Sequence, residues 1–376
     1  MKKAIILTPS FLPKLNGMSY ATIGHARMLS DIGLEVTIIS NDCPDSESFK
    51  NYGLHNIECF KYPIYGSGLL WSPVRGPILE VIDKIKDIEP DYIFVEGWYN
   101  WGTYLLTKLP NFYVKIVFSH GSGDYDIYNY TSFLRRLGYY IYDWFKMPRI
   151  LNKVDGLILL SDYKDNKRFK DFEYVTKYSI KSIVIPNRNI EEVSGSELRY
   201  KLKSTTGFNI AIIGEMSHNK NQAYIIEKFN QLNETINVHF FYPAENKYSN
   251  QLHKKKSSLS ERVMFHKGID RIGINEFLKH NIDIILVLSR TEAQPIVVID
   301  AIFNGIPFVS TNVGSISIFK GGIVCSLEDI VVNINLLCCN QKLMNHYKEN
   351  TKIDRNFLQF DTQKLNKFLN NLNIKV

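Results

Sequence analysis

The chain has 376 residues, which is enough for two domains of ordinary size or one large one. Hydrophobic residues make up 45% and charged residues 22%, a balance that excludes a disordered, collagen-like or coiled-coil protein. The net charge of +7 suits an anionic small molecule or an anionic membrane surface, and with no RNP, helix-turn-helix or zinc-finger signature no nucleic acid is expected as a partner.

Short apolar runs alternate with helical patterns along the chain. The β-branched run Ala4–Leu7 predicts a strand. Met18, Ala21, Met28, Leu29 and Ile32 then share one helical face, and Gly33 stands where a C-terminal cap belongs. Runs at Val36–Ile39, Tyr92–Val95, Val114–Phe118, Leu157–Leu160 and Ile183–Ile185 predict further strands. A polar stretch from Pro186 to Thr206 reads as a hinge. A second series follows at Ile210–Ile213, Val238–Tyr242, Ile282–Leu288 and Ile306–Val309. Nearly all-apolar strands alternating with helices predict parallel sheets covered on both faces. Two such series predict two doubly wound α/β domains, residues 1–190 and 205–354. A C-terminal helix within 355–376 crosses back to the first. Its core, roughly Asp361 to Leu372, sets Leu365, Phe368, Leu369 and Leu372 on one stripe.

No apolar run approaches the roughly 18 residues of a membrane span. The stretch before Pro9 is too short for a secretory h-region. Five cysteines without C-x-x-C spacing suggest neither a disulfide framework nor a zinc site, so the cytoplasm is the expected location. Residues 131–153 interleave Arg135, Arg136, Lys146, Arg149 and Lys153 with Phe133, Tyr139, Tyr140, Trp144 and Phe145. Such a helix can lie in an anionic membrane interface, making the protein peripheral; the other reading is a core helix with a solvated basic edge.

The most informative stretch runs from Leu288 to Gly305. A buried strand ends near Leu288, a loop follows, and a helix begins near Pro295, with Gly305 as its stop. Ligands of open parallel sheets bind at the carboxyl ends of strands. The helix start adds free N–H groups that suit a phosphate or a sugar hydroxyl. Glu292 in the loop and Asp300 in the helix offer two fixed acceptors, fit for two groups of hydroxyls such as a sugar and a ribose.

Glu292-x7-Asp300, Ala301-x3-Gly305-x-Pro307 and Ser310-Thr311-Asn312-Val313-Gly314 resemble the family 4 retaining glycosyltransferases of the GT-B fold. Other matches fall in the family's order. They are Asn16-Gly17, Gly33-Leu34-Glu35-Val36-Thr37, Ser119-His120-Gly121, Val154-Asp155 to Ser161, Ile185-Pro186-Asn187 and Gly214-x5-Lys220. The resemblance covers roughly residues 4 to 325. It implies two Rossmann-like domains facing across a cleft, and hexosyl transfer from a nucleoside-diphosphate sugar to a glycan or lipid-linked acceptor in cell-surface polysaccharide biosynthesis. No cofactor and no metal are expected. Glu292 would contact the donor sugar and Asp300 the ribose hydroxyls. Backbone N–H groups around Gln294, Ile296 and Val297 would meet the sugar and diphosphate. Lys220, in the motif opened by Gly214, would neutralise the leaving diphosphate, Gly17 would let the first loop approach it, and His120 would stand beside the reacting carbon.

Three positions depart from the family's pattern. Asp300 stands where Glu is usual, Glu215 follows Gly214 where Arg is typical, and Asn16-Gly17 replaces a glycine pair. Glu215 either points away from a diphosphate or marks a shifted register, leaving Lys220 to carry more, with Arg290 or His218 as helpers. Asp124-Tyr125-Asp126 is a D-x-D string that either holds a metal or lines an acceptor pocket. Trp98, Tyr99 and Trp101 either stack on an acceptor or pack, and His25 reads as a core or cleft-facing histidine. A nucleotide-sugar epimerase of similar architecture and a non-catalytic sugar-binding subunit are the competing functions.

Overall fold

The computed structural model describes residues 1–376 except 15, 44–48, 50–51, 70, 122–132, 162–169, 189–205, 257–260, 270, 360 and 373–376; the side chains of 135 and 272 are also outside the description. The chain forms two compact units, Met1–Ser194 with Phe360–Val376, and Gly195–Gln359.

The first unit is built on seven parallel strands: β1 (Lys3–Thr8), β2 (Glu35–Ser40), β3 (Glu58–Lys61), β4 (Tyr92–Glu96), β5 (Val114–Ser119), β6 (Gly156–Leu159) and β7 (Lys181–Val184). Their order is β3-β2-β1-β4-β5-β6-β7. Successive β1 side chains enter opposite cores. Ala4 and Ile6 pack with Ile23, Met28 and Leu29 of α1 (Gly17–Asp31), whereas Ile5 and Leu7 pack with Val81 and Ile85 of α2 (Ile78–Ile88) and Leu105 of α3 (Trp101–Leu106). Three further helices are α4 (Phe133–Phe145), α5 (Met147–Leu151) and α6 (Asp171–Lys177).

The second unit has six parallel strands: β8 (Phe208–Ile213), β9 (Ile236–Tyr242), β10 (Val263–Lys267), β11 (Ile284–Val287), β12 (Phe308–Thr311) and β13 (Gly322–Cys325), in the order β10-β9-β8-β11-β12-β13. Its helices are α7 (Ala223–Glu227), α8 (Lys247–Lys256), α9 (Arg271–Asn281), α10 (Ile296–Asn304), α11 (Ile330–Cys339) and α12 (Gln341–Phe357). Residues 355–359 therefore finish or follow a helix of this unit. The returning element is α13 (Thr362–Leu372), whose Leu365, Phe368, Leu369 and Leu372 enter the first unit's core. Burying each such side chain stabilises by about 2 kcal/mol before conformational entropy is charged. Gly156 makes room for them, since a Cβ there would lie 2.8 Å from Leu372 Cδ1.

Two Rossmann-like parallel sheets are what the alternating pattern predicts. The pattern omits β3, β10 and β13. Each lies at or ends a sheet edge and is only partly buried, so no apolar run announces it.

Candidate functional site

Strand order reverses between β1 and β4 in the first sheet and between β8 and β11 in the second. At such switch points the loops leave the strand ends in opposite directions and open a crevice for a ligand. Several predicted site residues lie at these points.

In the second unit, Gly214 follows β8 with φ 140°, a conformation L side chains rarely adopt. A Cβ there would sit 3.4 Å from Lys220 Cε, so the lysine stem runs beside a bare backbone. Lys220 Nζ forms an ion pair with Glu292 Oε1, and Ser289 Oγ donates to the same oxygen at 3.0 Å. Asn219 ties the two loops together. Its Oδ1 accepts from Thr291 N–H and its Nδ2 donates to the Thr291 carbonyl, both at 3.1 Å, while its own carbonyl accepts from Arg290 N–H at 2.8 Å. Lys220 and Glu292 are partly open to solvent, with side chains 26% and 17% exposed.

Gly314 fixes the far side of the Glu292 loop. Its φ is 54°, and a Cβ would overlap the carbonyl oxygens of Glu292 and Ala293. Ser315 N–H reaches Ala293 O at 3.0 Å, and the Gln294 side chain is buried against Ser315 Oγ at 3.3 Å. Ile296 and Val297 open α10, whose cap Pro295 makes no side-chain hydrogen bond to the first turn. The initial N–H groups of a helix have no intrahelical acceptor and favour negative charge.

Asp300 lies deeper. It is buried, and its carboxylate pairs with Arg271 at the start of α9. Burial pushes its carboxyl above the ordinary value, opposed by the guanidinium. Glu215 and His218 are exposed; the His218 ring meets Tyr248 edge-on at 4.7 Å.

In the first unit, Asn16 and Ser19 form a capping box that starts α1 at Gly17, and among the described residues no atom beyond the chain neighbours and the helix's own backbone lies within 4 Å of a Cβ built there. His120 follows β5, and its Nε2 is 2.7 Å from Glu96 Oε2 at the end of β4. The other carboxylate oxygen, Glu96 Oε1, is 2.8 Å from His25 Nδ1. Burial alone would raise the Glu96 carboxyl. The charges and hydrogen bonds of His25 and His120 outweigh it and hold the group at about 2. Trp98 and Trp101 are buried, and the Trp98 indole donates to Ser119 Oγ at 2.8 Å and to Asp171 Oδ1 at 3.0 Å. These two rings pack and are not available to stack on an acceptor. Asp124, Tyr125 and Asp126 lie outside the described residues.

Glu96 and Arg271 lie outside the predicted motifs, and Asn219 and Ser289, though inside them, are given no role by the sequence. Glu96 alone left a signal, an acid closing the otherwise apolar strand Tyr92–Glu96 just before a glycine. Helix α4 resolves the reading of segment 131–153 only halfway. Tyr142 enters the core, while Phe133, Leu134, Leu137, Tyr140, Ile141, Trp144 and Phe145 face outward, Trp144 being 78% exposed. No helix of the described residues is long and apolar enough to cross a membrane.

The architecture is that of the GT-B glycosyltransferases. Similar solved structures include Anabaena HepE in complex with UDP-glucose (14% identity, 99% of both chains, TM-score 0.68). S. aureus TarM with fondaparinux, alpha-GlcNAc-glycerol and UDP (12%, 100% of both chains, 0.70) is another. A third is WaaG, a glycosyltransferase involved in lipopolysaccharide biosynthesis (15%, 95% of both chains, 0.64). Residues 196–353 match the family "Glycosyl transferases group 1". That match covers the unit holding Gly214, Lys220, Glu292 and Asp300, and with the fold it makes the chain a glycosyltransferase. No curated protein sequence matches the chain.

Proposed function

We propose that the chain is a retaining transferase that moves a hexosyl unit from a nucleoside-diphosphate sugar to a glycan or lipid-linked acceptor in cell-surface polysaccharide biosynthesis. The observation that carries this reading is the Lys220–Glu292 pair beside Gly214, at the switch point of the second sheet. A cation and a carboxylate held side by side suit a substrate with an anionic handle and a hydroxyl-rich end. The diphosphate would take the Lys220 ammonium, and Glu292, released from it, would accept from sugar hydroxyls. Charge grows on the departing diphosphate as the glycosidic bond breaks, so a cation fixed there acts mainly in the transition state. The uncapped first turn of α10, at Ile296 and Val297, supplies further donors, and this chemistry needs no metal. The ligands named for HepE and TarM, and the pathway named for WaaG, support the donor class and the polysaccharide setting.

The resemblance implies a ribose contact for Asp300. In this reading it acts together with Arg271, its ion-pair partner. The outward aromatic face of α4, with Lys146 and Arg149 nearby, supports a peripheral position on the inner face of an anionic membrane.

Thermal-shift titration with a panel of nucleotide-sugars, followed by product analysis with labelled donor, tests the reading. Glu292→Ala should lower transfer roughly 100-fold or more, the scale of one lost transition-state contact of about 3 kcal/mol, while the melting temperature stays near that of the parent. Full activity in that variant overturns the site. Inversion of the sugar without acceptor consumption would make the protein an epimerase. Donor binding with neither transfer nor hydrolysis would make it a sugar-binding subunit. Failure to sediment with anionic liposomes removes the membrane assignment alone.

A further inference from the structure

We infer that Glu96 and His25 are positioning residues for His120: the shared carboxylate fixes which imidazole nitrogen His120 turns toward substrate. This rests on the transferase reading only in giving His120 a substrate to face.

Glu96 is fully buried at the end of β4, and its backbone is held by Asn100, whose Nδ2 donates to Glu96 O at 2.8 Å. A buried carboxylate needs every lone pair it can satisfy. An ionised carboxylate only accepts, so both facing nitrogens must carry hydrogen. His120 therefore donates Nε2–H to Oε2 at 2.7 Å, and His25 donates Nδ1–H to Oε1 at 2.8 Å. The consequence for His120 is a fixed orientation. Its Nε2 points inward, and Nδ1 is left as the nitrogen available to a substrate on a side chain that is 20% exposed. Such an arrangement sets both tautomer and ring direction.

His25 acts at one remove. It is 2% exposed on α1, and its ring stacks on Phe118 of β5 at 3.8 Å and 5°. Its Nε2 has no hydrogen-bond partner among the described residues. A buried histidine that leaves one nitrogen unsatisfied is held there by its other contacts, here the Phe118 face and the bond to Glu96. Without His25, Oε1 would lose its donor, and the carboxylate would be free to rotate and carry His120 with it. Gly97, at φ 72°, turns the chain directly after Glu96; a Cβ there would meet His120 Cδ2 at 3.5 Å.

The first measurement is the tautomer itself, by long-range nitrogen–proton NMR of the full chain labelled on histidine, with His120→Gln for assignment. His120 should carry hydrogen on Nε2, whatever the state of Nδ1. An Nε2 without hydrogen overturns the proposal, and this readout needs neither activity nor a folded Glu96 variant. The second is kinetic. Glu96→Gln offers one acceptor oxygen and an amide NH2 that only donates, so it cannot accept from both rings. It should lower kcat about 10-fold or more with KM for donor within about threefold, as expected when a histidine is left in the wrong tautomer. His25→Asn, which can keep a donor facing Oε1, should retain most of kcat. His25→Phe, which keeps the ring but removes the donor, should not. Equal kcat in the two His25 variants, or parental kcat in Glu96→Gln, sinks the relay. If His120→Ala retains full activity while the tautomer is as stated, the positioning stands and the role of His120 in transfer falls.

Discussion

Arg271 and Asp300 form an ion pair beneath the surface of the second unit, each side chain less than one-tenth exposed. The pair joins α9 to the middle of α10, the helix whose first turn borders the candidate donor site. Asp300 is thus both a candidate ribose contact and half of a buried structural link. Removing one partner strands a charge away from water, which costs more than the intact pair contributes. Arg271→Ala should destabilise the protein by about 3–5 kcal/mol in urea or guanidinium unfolding. Replacing both residues with apolar ones of similar volume should restore most of that stability while donor binding stays impaired. Recovery of binding in the double variant would mean that Asp300 serves the structure alone.

Gly17 makes the opposite case. Among the described residues nothing beyond its chain neighbours and its own helix backbone lies within 4 Å of a Cβ at this position, so these surroundings leave room for a side chain. Gly17→Ala should leave stability unchanged or raise it by a few tenths of a kcal/mol, since alanine is the better helix former. If a diphosphate approaches this loop, the added methyl should weaken donor binding about tenfold, or roughly 1.4 kcal/mol by calorimetry. Unchanged donor affinity would remove Gly17 from the site.

At Gly314 the fold has no such room. A side chain meets both an unfavourable φ of 54° and the carbonyls of Glu292 and Ala293. Gly314→Ala should cost about 2 kcal/mol or more in stability. It should also displace the Glu292 loop, lowering kcat/KM even at temperatures where the variant is fully folded. Circular dichroism melts and initial rates on one preparation check both halves.

The buried carboxylate of Glu96 gives a pH dependence whose sign follows from its depressed pKa. The folded state favours the ionised form, held at about 2 against an ordinary 4.5. The stabilisation is therefore complete above about pH 4.5 and is lost as pH falls toward 2. Glu96→Gln has no such group. The difference in unfolding free energy between parent and variant should shrink as pH falls from about 4.5 toward 2. A difference that is constant from pH 5 to pH 2.5 would contradict this assignment.

Much of the frame is legible in the amino-acid sequence. A central strand of a parallel sheet is apolar on both faces, so Ala4–Leu7, Tyr92–Val95 and Ile210–Ile213 announce themselves by composition. The stripe Leu365, Phe368, Leu369 and Leu372 likewise requires a core to enter, although nothing in it says which one. The Glu292 to Gly314 stretch carries its own local grammar of loop, helix and closing glycine, and the family match falls on that half of the chain. The edge strands β3, β10 and β13 escape because one side faces water and their residues need not be apolar, whereas the edge strand β7 is announced by its run Ile183–Ile185.

Partnerships between side chains are what the sequence withholds. Asn219 and Thr291, Lys220 and Glu292, and Arg271 and Asp300 are brought together by strand order. His25, Glu96 and His120 meet for the same reason, across 95 residues of chain. Sequence periodicity reports which face of an element is buried, because that depends on near neighbours. It does not report which polar groups share that interior, because hydrogen bonds and ion pairs form over about 3 Å and depend on how the elements are ordered in the sheet. The sequence by itself determined the two parallel-sheet units and the transferase-like helix start; the tertiary structure decided which charges neutralise one another and which nitrogen of His120 is turned outward.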